Sequence, residues 1–169
     1  MPVQDIIPGQ SYKFSYTPLQ FRILAGLQSM PMGNVFFVDS GDANAANQTE
    51  RGSFAQPFAT INYAVGRCTA NNGDVIVVKP GHVETITAAT SLVVNVAGVT
   101  ILGMGQGKTR PILDFTNTAG SVEMDAANCA LCNVQLRANV SAVVVGINVD
   151  AHDVELAGLY FTWDATGDD

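Results

Sequence analysis

The sequence predicts an all-β fold: a single-stranded solenoid of the parallel β-helix type, with a capping helix near residues 57–70 and an extended N-terminal arm. Three observations carry this reading. The 169 residues are 47% hydrophobic, only 8% aromatic and only 14% charged, and they are rich in Val, Ala, Asn, Thr and Gly, which favours short strands and turns over packed helices. Three segments in the second half superpose without gaps as strand, turn, strand, turn. Residues 1–33 differ from the rest and hold four of the seven prolines. One domain of this length can bury a core.

The arm, residues 1–33, carries two alternating runs: Tyr12, Phe14 and Tyr16, then Leu19, Phe21 and Ile23. Period-two alternation marks one buried face, while the flanking Pro8, Pro18 and Pro31 argue against central strands. Ordering such a segment costs entropy, so its apolar face must cover either its own domain or a neighbouring subunit. Residues 34–169 form the body. Val35–Val38 reads as a strand and residues 39–53 as an exposed polar loop. Phe58, Ile61, Val65 and Cys68 recur at helical spacing, with Pro57 or Thr60 as the start signal and Asn71-Asn72-Gly73 as the stop. The next strand, Val75–Val78, closes at Pro80-Gly81.

The repeats begin at Val94, Met124 and Val149, offset by 30 and then 25 residues. The first strand of each copy ends at Gly98, Asn128 or Asp153, residues that tolerate left-handed backbone. The second strand places Val99, Cys129 and Val154 in one inward column and Ile101, Leu131 and Leu156 in the next. It closes at Gly103, Asn133 and Gly158, a second column suited to positive φ. Such a unit cannot bury its apolar face alone and must stack on copies of itself. Val94, Met124 and Val149 then point inward, while Asn95, Asp125 and Asp150 form an outward ladder at about 4.8 Å per rung. The helix caps the N-terminal end of the stack, whose edge would otherwise invite aggregation. At the other end, Leu159 to Trp163 runs into the acidic residues Asp164 to Asp169 without a capping element.

Net charge is −7, from 8 basic and 15 acidic residues, which disfavours nucleic acid and anionic membranes as partners. Six of the acids follow Arg137, the last basic residue. The sequence holds no 18-residue apolar run, and Met1–Gln10 lacks the blocks of a signal peptide, so synthesis and folding in a cytoplasm are expected. Cys68, Cys129 and Cys132 are an odd set without a second pair or a His partner, and read as free buried thiols. No metal and no cofactor are expected. His82 and His152 stand 70 residues apart without companions at ligand spacing, and His152 reads as an exposed turn residue. Gly103 to Thr109 mimics a phosphate loop, but one residue is missing between Gly103 and Gly107-Lys108, and Arg110-Pro111 leaves no following helix.

The run Pro57-Phe58-Ala59-Thr60-Ile61, the strand Gly73-Asp74-Val75-Ile76-Val77-Val78, Pro80-Gly81-His82-x-Glu84 and Val99-Thr100-Ile101-x-Gly103 together resemble right-handed parallel β-helix proteins of the pectin-lyase-like class. More narrowly, they resemble bacteriophage virion proteins over about residues 35–161. The resemblance implies either a non-catalytic phage structural protein or a polysaccharide lyase or hydrolase tailspike. For the enzyme, Asp125 and Asp150 are the candidate carboxylates, on adjacent rungs with Glu123 on the same face, because glycosidases need two carboxylates about 5 to 9.5 Å apart. No aromatic residue for sugar stacking lies near them in sequence. No nucleophile elbow occurs either.

The outward column Leu102, Cys132 and Ala157 is uncharged, and such a stripe is more often covered than wet. It predicts a subunit contact, for which a homotrimer is the natural closed form; the other option is a long loop of the same chain folded over it. The function expected is thus a non-enzymatic virion structural protein, a capsid decoration or cement protein assembled in the bacterial host cytoplasm. Its arm (Tyr12, Phe14, Tyr16, Leu19, Phe21, Ile23) would bind the major capsid protein or another virion protein. The alternatives are a tailspike-like or tail-fibre-like polysaccharide-binding or polysaccharide-cleaving domain, and a baseplate or adaptor component.

Overall fold

Short β-branched and aliphatic runs separated by left-handed turn residues can satisfy their backbones only by pairing with distant runs of the same kind. The computed structural model describes residues 33–163, and it is built this way. The strands are β1 (Val35–Val38), β2 (Val75–Val78), β3 (Val83–Ile86), β4 (Leu92–Val94), β5 (Thr100–Gly103), β6 (Ile112–Phe115), β7 (Val122–Met124), β8 (Ala130–Cys132), β9 (Gln135–Ala138), β10 (Ile147–Val149), β11 (Glu155–Ala157) and β12 (Tyr160–Trp163). They are joined by one α-helix, α1 (Ile61–Val65), and a 3-10 turn at Gly107–Thr109.

Three sheets result, in the orders β1-β2-β5-β8-β11, β4-β7-β10 and β3-β6-β9-β12. Every strand pair is parallel. From β2 onward the chain visits the sheets in rotation, so each circuit lays three strands beside those of the circuit before. The fold is therefore mostly strand in parallel sheets with almost no helix. Registers agree with the repeat offsets: Val94 pairs with Met124 and Met124 with Val149, while Ile101 pairs with Leu131 and Leu131 with Leu156. Ile76, Ile101 and Leu131 are fully buried, as are Val94, Met124, Ile86 and Leu113. Gly98, Asn128 and Asp153 all take positive φ, at 77°, 58° and 56°.

Three expectations are corrected. The helix is five residues long, not a span across 57–68; the Thr60 hydroxyl caps it by accepting from the Tyr63 N–H, and it ends at Gly66 rather than at Asn71-Asn72-Gly73. Pro57 is not its start, because Phe58 instead forms a bridge beside Val38. The second turn column is only two-thirds right. Asn133 and Gly158 are left-handed, at 56° and 61°, but Gly103 remains in β5. A Cβ on Gly103 would lie 2.2 Å from the Asn133 carbonyl oxygen, so this glycine serves close backbone approach, and the left-handed residue after β5 is Gly105 at 95°. Finally, each circuit contains a third strand, the β3-β6-β9-β12 series, which ungapped repeats do not reveal.

The N-terminal end is closed by α1, which buries Ile61, Ala64 and Val65 against the first circuits, and by residues 52–58. That segment uses the outer edge of β1: the Phe37 N–H donates to the Gly52 carbonyl at 2.8 Å, and the Asp39 N–H to the Phe58 carbonyl at 2.9 Å.

Candidate functional site

Asp125 and Asp150 directly follow the paired residues Met124 and Val149, so they occupy successive positions on the outer face of the β4-β7-β10 sheet, and both are exposed. Asn95 precedes them in the same column and is exposed too. Glu123, two residues before Asp125 on the same outer face, accepts from the Asn148 amide at 2.7 Å and from the Ser121 hydroxyl. The acids thus stand on an open face rather than in a cleft. Among the described residues no group of three or more His, Cys, Asp or Glu side chains gathers in a way that could hold a metal ion.

Leu102, Cys132 and Ala157 are in register in the first sheet. Leu102 is 7% and Cys132 5% exposed within the single chain, and Ala157 is half-buried. At the first two positions the single chain itself already withdraws the side chain from water. Burial, aided by nearby Glu155, pushes the Cys132 thiol up to about 11. Burial, then Asp74 and Cys129, pushes Cys68 up to about 12. All three cysteines are free, and these two are held as thiols at neutral pH, unsuited to nucleophilic work. The arm residues Tyr12, Phe14, Tyr16, Leu19, Phe21 and Ile23 lie outside the described residues.

The structure also assembles three polar knots that the sequence reading overlooked. His82 is fully buried: its Nδ1 accepts from the Ser40 N–H at 2.9 Å, which leaves the proton on Nε2 to donate to Glu84 Oε2 at 3.1 Å. Glu84 in turn accepts from the Ile61 N–H at 2.6 Å and the Asn62 N–H at 3.4 Å, satisfying the first turn of α1. Ser, His and Glu meet here, but the Ser40 hydroxyl is bonded to the Val83 backbone and does not face His82, so no nucleophile is activated. Only the spacing His82-x-Glu84 hinted at this pair.

In the second knot, Asp74 accepts from the Thr69 and Asn34 N–H groups, each at 2.6 Å, and from the Asn72 and Asn34 side chains. Burial alone would raise its pKa, but these bonds outweigh it and hold the carboxyl below the usual 3.8. In the third, buried Arg110 donates to Asn133 Oδ1 at 3.0 Å and lies 3.3 Å from the centre of the Tyr160 ring, while the Asn133 amide donates to the Gly103 and Gly105 carbonyls. Among the described residues, no buried side-chain nitrogen or oxygen lacks a hydrogen-bond partner. His152 lies in the turn before β11, exposed, with Nδ1 2.8 Å from Asp153 Oδ2.

An extensive apolar opening lies at the far end of the stack. Phe161 pairs with buried Leu136, and Trp163 with half-buried Ala138, which continues the column of buried Phe115 and Ile86; Phe161 and Trp163 are nevertheless 73% and 74% exposed. Val149 and Leu156 end their core columns at 46% and 40%. A cleft of about 670 Å³ lies there, lined by Phe115, Leu136, Val143, Phe161 and Trp163 among others.

No family model matches the chain, and no curated protein and no solved structure matches it significantly.

Proposed function

We propose that this chain is a non-enzymatic structural protein of a bacteriophage virion. In this reading it is a short right-handed parallel β-helix, closed at one end by α1, which stands on the particle as a capsid decoration or cement and is anchored through residues 1–33. Its partners are then the major capsid protein or another virion protein, with a homotrimer as the natural assembled form. The observation that carries the non-enzymatic part is the use of the buried polar groups. His82, Glu84, Asp74, Arg110 and Asn133 are all engaged in bonds that hold turns and the helix in place, so among the described residues no buried polar side-chain atom is left unpartnered for chemistry, and even Glu84, which lines a cleft with Ser40 and Ser91, is spent on the helix start. The virion assignment rests on the sequence resemblance and on the apolar, Pro-punctuated arm.

The test is to remove residues 1–30 and measure binding to particles lacking the protein, with circular dichroism on the remainder. Loss of binding with retained β-structure is expected, and unchanged binding would sink the anchoring role. Copy number per purified particle separates locations: hundreds of copies mean the shell, whereas about three to eighteen mean a tail or baseplate component. One observation favours the second reading, a polysaccharide-binding or polysaccharide-cleaving spike. Asp125 and Asp150 do stand on adjacent circuits, and release of reducing ends from host glycan, lost in Asp125→Asn or Asp150→Asn, would establish it.

A further inference from the structure

Asn72-Gly73 is the only Asn-Gly pair of the chain, and it lies in the turn that leads into β2. Asn71 and Gly73 take positive φ, at 57° and 73°, and Asn71 and Asn72 are exposed. The Asn72 N–H donates to the Thr69 carbonyl and the Gly73 carbonyl accepts from the Gly33 N–H, each at 3.2 Å. Among the described residues the Gly73 N–H donates to nothing. That nitrogen is also unshielded by a side chain of its own residue, because glycine has no Cβ. The other left-handed asparagines differ in this respect: Asn71, Asn128 and Asn133 are followed by Asn72, Cys129 and Val134, whose side chains shield their own backbone nitrogens. The Asn72 side chain meanwhile reaches into the Asp74 knot. Its Nδ2 donates to Asp74 Oδ1 at 2.7 Å, the same oxygen that accepts from the Asn34 N–H. Space there is closed, since a Cβ on Gly33 would stand 2.7 Å from that amide nitrogen.

We infer that Asn72 is a self-modifying site, an asparagine that converts slowly to aspartate or isoaspartate and in doing so unfastens the knot at the entrance to β1. The Gly73 nitrogen gives its proton to solvent base and attacks Asn72 Cγ. A bond forms between that nitrogen and Cγ, the Cγ–Nδ2 bond breaks, and the amide leaves as ammonia with a proton taken from water. The cyclic imide that results is opened by water at either of its carbonyls, one opening giving aspartate and the other isoaspartate. Water is the only co-reactant. Both products carry a carboxylate in place of the amide that donated to Asp74, so a hydrogen bond to a buried carboxylate becomes a meeting of like charges. Isoaspartate also routes the main chain through one more carbon, which displaces the Gly73 carbonyl from the Gly33 N–H. The bonds from Asn34 and Thr69 to Asp74 are the ones placed under strain, and they join the start of β1 to the turn after α1. The inference does not depend on a virion location or on the role of residues 1–33.

The full 169-residue chain is aged in mildly alkaline buffer and mapped by peptide mass spectrometry, with a synthetic peptide of residues 68–78 as the unrestrained reference. The expected result is conversion at Asn72 about tenfold faster than at any other asparagine of the folded chain, with isoaspartate among the products and none formed at this position in Asn72→Gln. Asn72 left intact in the folded chain after the peptide has reacted fully overturns the proposal. So does another asparagine converting first. The consequence is read by amide hydrogen exchange at Asn34 and Thr69, which should be faster in Asn72→Asp and in the aged protein than in fresh wild type, while circular dichroism shows the β-structure retained. Exchange at both amides unchanged in Asn72→Asp and in the aged protein overturns the link to the knot, and the proposal with it.

Discussion

Asp74 shows how much one side chain can organise in a fold made of turns. A single buried carboxylate ties the chain entering β1, through Asn34, to the turn after α1, through Thr69, and to Asn72 beside the start of β2. Replacing it by Ala leaves the Asn34 and Thr69 N–H groups without acceptors, a loss of roughly 2 to 4 kcal/mol. Because its folded pKa lies below the unfolded value near 3.8, its stabilisation is present above that value and is lost as pH falls through the lower folded value. Denaturant unfolding followed from pH 6 to pH 2 should therefore show a stability decline in the wild type that is shallower in Asp74→Ala. Parallel curves would mean that the carboxylate is not what titrates. Residues of this kind were the least legible in the sequence. An Asp beside a Gly reads as an ordinary turn, and nothing local reveals that its partners lie up to 40 positions away.

At the scale of the element, legibility followed connection length. The β4-β7-β10 and β5-β8-β11 strands are legible as repeats because one turn of fixed length joins each pair, so offsets of 30 and 25 apply to both sheets. The β3-β6-β9-β12 series escaped because the link before it varies. Residues 104–111 separate β5 from β6, whereas only Asn133 and Val134 separate β8 from β9. Its inward positions are also chemically mixed: Phe161, Leu136 and Leu113 share their column with Glu84, which faces α1 rather than solvent. The helix was overextended for a related reason. Phe58 and Cys68 fall at helical spacing, but Phe58 is held by the edge of β1 and packs on Phe36 and Tyr63. Tertiary pairing overrides a weak local propensity. Position within a column also sets the cost of mutation. Leu131→Ala, in the buried middle of its column, should lose roughly 2 to 5 kcal/mol, while Leu156→Ala, at the exposed end of the same column, should lose about 1 kcal/mol or less. Chemical denaturation of the two variants checks this, and equal losses would mean that the last circuit is covered as well as the middle ones.

Over the whole molecule, each circuit touches mainly the circuits before and after it, so stability is a sum of neighbour contacts and need not be uniform. The β5 and β8 layers have neighbours on both sides, the first circuit has α1, and among the described residues no strand follows the last. Amide hydrogen exchange should be slowest in β5 and β8 and fastest in β10 to β12. Uniform protection along the stack would show instead that the molecule opens only as one unit. The candidate surfaces obey the same logic. The outer acids could be placed from the repeats, whereas the open end could not, since exposure of a core position is visible only once its column is known.

The regularity of the final circuit has a practical consequence. From β7 to β10, from β8 to β11 and from β9 to β12 the offset is 25 residues in all three sheets. A duplicated stretch of that length, such as residues 130–154, would re-enter the same registers without shifting any side chain from one face to the other. Each copy would add one strand, about 4.8 Å from its neighbour, to each of the three sheets. The chain thus contains its own unit of insertion, and whole circuits can be added or lost in equal 25-residue steps without disturbing the registers of the rest.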